Sequence, residues 1–179
     1  MNTSNNIRYI STEEKIQKAL FSLLRLRKYN DISIKELCYE AGINRSSFYA
    51  HYLDINDLMI KTEQQLSNNI MNIFSPQEQW DNQTFIKLFD FLYKNQNFYK
   101  AYLDLNEQAF MEKNDFMKYT KIIDNHGIGN NFSSQEKIYH MAFFAGGLKA
   151  ISKAWLKNNC KESPTKMAEI IYNEYNRKN

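Results

Sequence analysis

The chain has 179 residues, enough for one or two small domains with a real hydrophobic core. Only 5 glycines and 2 prolines point to long helices with few turns, and no run of alternating strand-type residues stands out. A formal charge of +3, with an isoelectric point near 8.7, is compatible with nucleic acid but lacks the strong basic bias of a non-specific binder, so DNA binding is expected to use a local surface, with a dimer as the favoured arrangement. The two cysteines, Cys38 and Cys160, lie in different segments with no partner spacing. No disulfide framework is expected and a reducing cytoplasm fits. Neither a signal-type apolar run nor a stretch long enough to span a membrane is present, so no membrane partner is expected.

Residues 1–10 read as a polar, frayed lead-in. Ser11 with Glu14 forms a capping box that predicts a helix to about Lys28, with Ile16, Ala19, Leu20, Leu23, Leu24 and Leu26 as a broad apolar stripe. Tyr29-Asn30-Asp31 breaks that helix. Ser33 with Glu36 forms a second capping box, and Ile34, Leu37 and Ala41 then share one face. Gly42 stands where this helix must end, because glycine tolerates the left-handed conformation of a tight exit. Ile43 plugs the gap, and Asn44 caps a very short helix whose apolar residues are Phe48 and Tyr52. The other face of that helix presents Arg45, Ser46, Ser47, Tyr49 and His51, all able to donate to phosphate or reach base edges. Apolar spacing alone would suit a plain αα corner. So many donors on so short a helix point instead to a DNA-reading helix-turn-helix. Asp54 caps the next helix, over 55–74, and Pro76 marks a break.

The remainder continues in helices. Residues 81–95 carry Phe85, Leu88, Phe89 and Leu92 on one face, and 97–112 carry Phe98, Tyr102, Leu105, Ala109 and Phe110. Residues 116–124 are a weaker helical segment and 126–131 a loop. Ser133 with Glu136 caps the longest apolar helix, over 134–156, and Ser163-Pro164 opens a final one running to about Asn176. The 134–156 helix is apolar on two sides. Ile138, Met141, Ala145, Leu148 and Trp155 form one stripe; Tyr139, Phe143, Gly146, Gly147, Ala150 and Ala154 form another. The second stripe fits either a central core helix or an isologous dimer surface through Phe143, Gly146, Gly147, Ala150 and Ala154; a reader of two half-sites favours the dimer. His51, His126 and His140 show no metal-ligand spacing with each other or the cysteines, and there is no Gly-rich phosphate loop or nucleophile elbow. The chain does not read as an enzyme, and no metal or cofactor is expected.

Residues 13–61, through the string ISIKELCYEAGINRSSFYAHYLDINDL, resemble the DNA-binding domain of the TetR family of bacterial transcriptional regulators. The later string YHMAFFAGGLKAISKAWLKNNCKESPTKMAEII is similar to a TetR-type regulatory domain. The resemblance implies an all-α homodimer: a three-helix helix-turn-helix domain over 1–54, a regulatory and dimerisation domain over 55–179, and about nine helices in all. It implies a repressor that binds a double-stranded DNA operator and is released by a small-molecule effector. By position, Arg45, Ser46 and Tyr49 would face the major groove. Ser47, Tyr49 and His51 would hold phosphates, Lys35 would approach the backbone, and the caps Ser33 and Asn44 belong to the same surface. An aromatic lining of Phe85, Phe89, Tyr93, Tyr99, Tyr102, Phe110 and Tyr119 would suit an apolar or aromatic ligand, or would simply fill the core. Three positions depart from the family pattern. Lys28 stands for a common glycine, Ile32 for a common threonine, and Ile55 for a lysine that grips a phosphate. The last leaves room for a second reading: a TetR-fold interaction protein with weak or lost DNA binding, acting through a protein partner.

Overall fold

A computed structural model describes residues 7–74, 81–105 and 133–175, and every regular element among them is helical. The α-helices are α1 (Ile7–Leu26), α2 (Ile34–Ala41), α3 (Arg45–Tyr49), α4 (Ile55–Ile73), α5 (Asn82–Lys94), α6 (Gln96–Leu105), α7 (Ser134–Lys157) and α8 (Pro164–Tyr175), with a single 3-10 turn at Tyr29–Asp31. The expected features at Pro76, Phe110, Tyr119 and His126, and over 116–124 and 126–131, lie outside the described residues.

Most helices start where a side chain satisfies an otherwise orphaned backbone N–H. Ser33 and Ser133 form the expected capping boxes with Glu36 and Glu136. Asp81 accepts from the Thr84 N–H at 2.9 Å, and the Ser163 hydroxyl accepts from the Lys166 N–H at 3.2 Å just before Pro164 opens α8. The first helix departs from expectation. It begins at Ile7, so Ser11 and Glu14 sit inside it and do not cap it. The Thr12 hydroxyl donates to the Arg8 carbonyl at 2.8 Å, a bond that needs this earlier turn to be helical. Tyr9 in the same turn stacks on His51, so a distant contact holds a segment whose composition reads as frayed. Leu26 is also misassigned to the apolar stripe: it ends the helix pointing into solvent.

The chain divides into two compact units, Met1–Leu66 and Ser67–Asn179. The division falls inside α4, where the expected boundary stood before its first residue. Leu58, Met59, Thr62 and Leu66 are buried, so the first half of α4 supplies one wall of the first unit's core. That core is Ile16 and Leu20 of α1, Leu37 of α2, Phe48 of α3, Tyr52, and Leu58 of α4. The second unit packs α5 against α8 and α6 against α7. Its interior includes Phe85, Phe89, Phe98, Met141, Leu156 and Ala168. After α7 the chain turns through Asn159 and Cys160, both with positive φ, and the Trp155 indole N–H donates to the Glu162 carbonyl at 3.0 Å.

Candidate nucleic-acid interface

The α2–α3 corner is built by local hydrogen bonds. Gly42 adopts φ 63° and ψ 38°, the left-handed region. Its N–H donates to the Tyr39 carbonyl at 3.1 Å, and the Ile43 N–H donates to the Cys38 carbonyl at 3.0 Å, which together close α2 in a Schellman turn. Asn44 then starts α3: its Oδ1 accepts from both the Ser47 N–H and the Ser46 hydroxyl at 2.7 Å. A five-residue helix has no stability of its own. Phe48, fully buried, anchors it, at about 1.5–3 kcal/mol for such a side chain. Tyr52 continues the anchor, with its ring 5.3 Å from the Lys61 ammonium and its hydroxyl donating to Glu13 at 3.3 Å.

Phe48 and Tyr52 are thus core, as expected, and α3 turns its other side outward. Arg45, Ser46 and Tyr49 are exposed and Ser47 is half-buried. Tyr49 is 54% exposed, its ring edge-on to Phe48 with centroids 5.5 Å apart. Arg45 lies close enough to α2 for its charge to act on the Cys38 thiol, which burial pushes up and the guanidinium draws down. Lys35 is exposed on α2. Ser33 and Asn44 are committed to the helix starts; the Ser33 hydroxyl also donates to Glu36 at 2.9 Å. Arg27 pairs with that same Glu36 at 2.6 Å, tying α2 to the end of α1.

His51 is the exception among the expected contacts. Helical spacing puts it on the outward face, but it is only 8% exposed and stacks on Tyr9 with ring centroids 3.8 Å apart. The reason is that α3 ends at Tyr49, and the following turn swings His51 under α1. The start of α4 carries a further change. Asp54 accepts from the Asp57 N–H at 2.8 Å, and Asp57 accepts from the Leu53 N–H at 2.9 Å and the Lys61 ammonium at 2.9 Å. The Asp57 amide in the first turn of α4, and the Leu53 amide just before the helix, are therefore occupied by carboxylates and not open to a phosphate. Residue patterning also passed over Tyr39, 87% exposed on α2. Its signal was there: an aromatic off the stripe of Ile34, Leu37 and Ala41.

In the second unit the candidate ligand residues separate. Phe85 and Phe89 are buried, Phe85 edge-on to Phe74 and Phe144 and Phe89 edge-on to Trp155 at 5.3 Å. Tyr99 and Tyr102 are buried too, and Tyr102 stacks on Phe98. Tyr93 is instead nearly half exposed, leaning on Trp155. Along α7 the two apolar stripes have different fates. Met141, Ala145 and Trp155 are buried. Tyr139 and Phe143 are 65% and 83% exposed, and Gly147, Ala150 and Ala154 are exposed beside them. A Cβ added at Gly146 or Gly147 would meet nothing within 4 Å.

Among the described residues no helix is long and apolar enough to cross a membrane, and no cluster of His, Cys, Asp and Glu is arranged to hold a metal.

Residues 78–176 match a family model described as the C-terminal region of a transcriptional regulator, of the TetR type. Among solved structures, the chain is similar to the dihydroxyacetone kinase operon activator DhaS, with a TM-score of 0.71 and 20% identity over 91% of this chain and 93% of that one. It is also similar to the fatty acid degradation regulator FadR from Bacillus halodurans, with a TM-score of 0.62 and 15% identity over 90% and 92%. A TetR transcriptional regulator from Streptococcus agalactiae 2603V gives a TM-score of 0.53 and 15% identity over 95% and 96%. No curated protein matches the chain in sequence.

Proposed function

The chain belongs to the TetR family of transcriptional regulators, and from that premise we propose that it is a dimeric repressor that reads a specific DNA operator. The observation that carries the DNA-binding part is the outward face of α3: Arg45, Ser46 and Tyr49 are exposed on a helix whose other side is anchored by Phe48. The guanidinium supplies a bidentate base reader and the Tyr49 phenol a phosphate donor, while the Ser46 hydroxyl, whose proton goes to Asn44, offers the groove its oxygen. Lys35 adds a backbone contact from α2.

The dimer reading is supported by the exposed stripe of Tyr139, Phe143, Gly147, Ala150 and Ala154 on α7. Large apolar side chains beside residues small enough for close helix approach suit a second copy of the same helix. A small apolar or aromatic effector, bound among the aromatic residues of the second unit and releasing the operator, completes the proposal. Phe85, Phe89 and Tyr102 are buried aromatic side chains of that unit, of the chemistry such a ligand would pack against. The first domain of this regulator runs over 1–54 by function, ending where α4 begins.

Selection of duplexes from a random pool tests the reading. A single recovered motif, two half-sites long, with affinity falling steeply as salt rises, is the expected outcome. Recovery of no motif at low salt would instead favour a partner-protein role, which the loss of the phosphate-gripping lysine at Ile55 makes the second reading. A reporter placed behind the recovered operator distinguishes repression from activation.

A further inference from the structure

The end of the reading helix is held by a small cluster that the DNA-facing surface does not explain. The His51 ring is buried and stacked on Tyr9 of α1, with an angle of 28° between the rings. Its Nδ1 is buried with no hydrogen-bond partner among the described residues. Its carbonyl accepts from the Lys61 ammonium of α4 at 3.1 Å, and Lys61 is itself held by Asp57 at 2.9 Å. So α1 grips the His51 side chain and α4 grips its backbone. The same turn joins α3 to α4, and the His51 and Tyr52 amides both donate to the Phe48 carbonyl.

We propose that Tyr9, His51 and Lys61 form a proton-sensitive latch on the C-terminal end of the reading helix, closed when His51 is neutral and loosened when it is protonated. The latch rests on the DNA-reading role proposed above for its effect on operator binding, but its opening is a property of the protein alone. The charged and titratable groups facing His51 are Tyr9 and Glu13 from α1, Lys61 from α4, and Tyr52 from its own turn. A second proton would place a cation in a buried site where one ring nitrogen has no acceptor and an ammonium already sits nearby. Burial is the largest influence holding the imidazole below its ordinary pKa; Glu13 opposes it and Lys61 reinforces it. The sign follows. The unfolded chain takes up the proton first, so the stabilisation is fully present above the ordinary imidazole pKa and is lost as the pH falls from that value through the depressed folded one. Direct phosphate binding by His51 would have the opposite sign, since an imidazolium attracts phosphate and acid would tighten the complex.

Two measurements on the full-length chain test the latch. Nuclear magnetic resonance of the protein without DNA follows the His51 ring through acidification. The expected result is a midpoint below that of a free imidazole, with the amides of residues 45–50 shifting at the same midpoint and exchanging faster below it. Tyr9→Leu should bring the midpoint back toward the free value. An ordinary midpoint in the unaltered protein, or α3 amides indifferent to it, would overturn the proposal whether or not DNA is bound. The second measurement uses a duplex selected from a random pool at pH 8. Affinity should fall below the His51 midpoint by up to about tenfold per pH unit, the limit for one linked proton. His51→Phe keeps an aromatic ring on Tyr9 and removes the proton, so it should bind as the parent does at pH 8 and stay level on acidification. Tighter binding in acid, or an equal fall in His51→Phe, rejects the latch. If no duplex is selected, the DNA-reading role fails and the resonance titration still decides the latch.

Discussion

Arg45 carries the largest share of the specificity proposed for this surface, because a guanidinium is the one side chain on α3 able to form two parallel bonds to a guanine edge. Arg45→Ala should weaken operator binding by about 1–3 kcal/mol and relax the preference at one base position, as read by competition among operator variants. Tyr49→Phe removes only a hydroxyl from an exposed ring, so its loss should be smaller and equal on every sequence. Asn44 acts one step back. Its side-chain oxygen accepts two hydrogen bonds that start α3, so Asn44→Ala should lower the stability of the first unit by about 1 kcal/mol in a denaturant titration. Operator affinity would fall through misplacement of Arg45, which Asn44→Asp or Asn44→Ser should largely restore.

Four of the described helix starts carry a carboxylate held by the cap, and this gives the acid limb of stability a definite sign. Glu36, Asp57, Asp81 and Glu136 are all held below the ordinary carboxylate range. For Glu36 the leading cause is the Ser33 hydroxyl. For Asp57, Asp81 and Glu136 it is a backbone N–H, from Leu53, Thr84 and Ser133 respectively. Such groups stabilise the fold above their unfolded pKa, and the contribution is lost as the pH falls through the depressed values. Helicity should therefore drop on acidification below the carboxylate range, and Glu36→Gln combined with Glu136→Gln should blunt that drop in circular dichroism. The exit of α2 is controlled differently. Nothing lies within 4 Å of a Cβ added at Gly42, so the cost of Gly42→Ala is backbone strain alone, roughly 1–2 kcal/mol for a left-handed L-residue. Gly42→Asn should cost less, since asparagine visits that region more readily.

At the scale of the whole molecule, the uncovered stripe on α7 is the feature a single chain leaves unexplained. A Cβ at Gly147 meets no described residue within 4 Å and the position is exposed, so Gly147→Arg should fold and melt cooperatively. Sedimentation should find it monomeric, with much weaker operator binding, because one reading head cannot hold two half-sites. A variant that stays dimeric would move the proposed interface away from α7. Ligand release, by contrast, is tested with the aromatic residues of the second unit intact: a panel of small aromatic and aliphatic molecules should raise the melting temperature when one binds.

Much of this was legible from residues three or four apart. Ser33 with Glu36, Ser133 with Glu136, Asn44, and Ser163 with Pro164 each start the helix their spacing announces, because a cap is a bond between near neighbours and needs no tertiary partner. The apolar spacing likewise placed Phe48 in the core and left Arg45, Ser46 and Tyr49 outside. Where Ser11 and Glu14 misled, the winning contact was remote: Tyr9 reaches His51, and that stack extends α1 back to Ile7. His51 departs from its helical phase for the same reason, since the turn after α3 decides which way the ring points. The two stripes of α7 were visible in the sequence as equals, and only packing showed that Met141 and Trp155 are covered while Phe143 is not. By itself, then, the sequence determined the caps of α2, α3, α7 and α8 and the exposed part of the reader's polar face, Arg45, Ser46 and Tyr49. The tertiary structure decided which donors face outward and which apolar stripe remains uncovered, because burial depends on which distant helix arrives against a face.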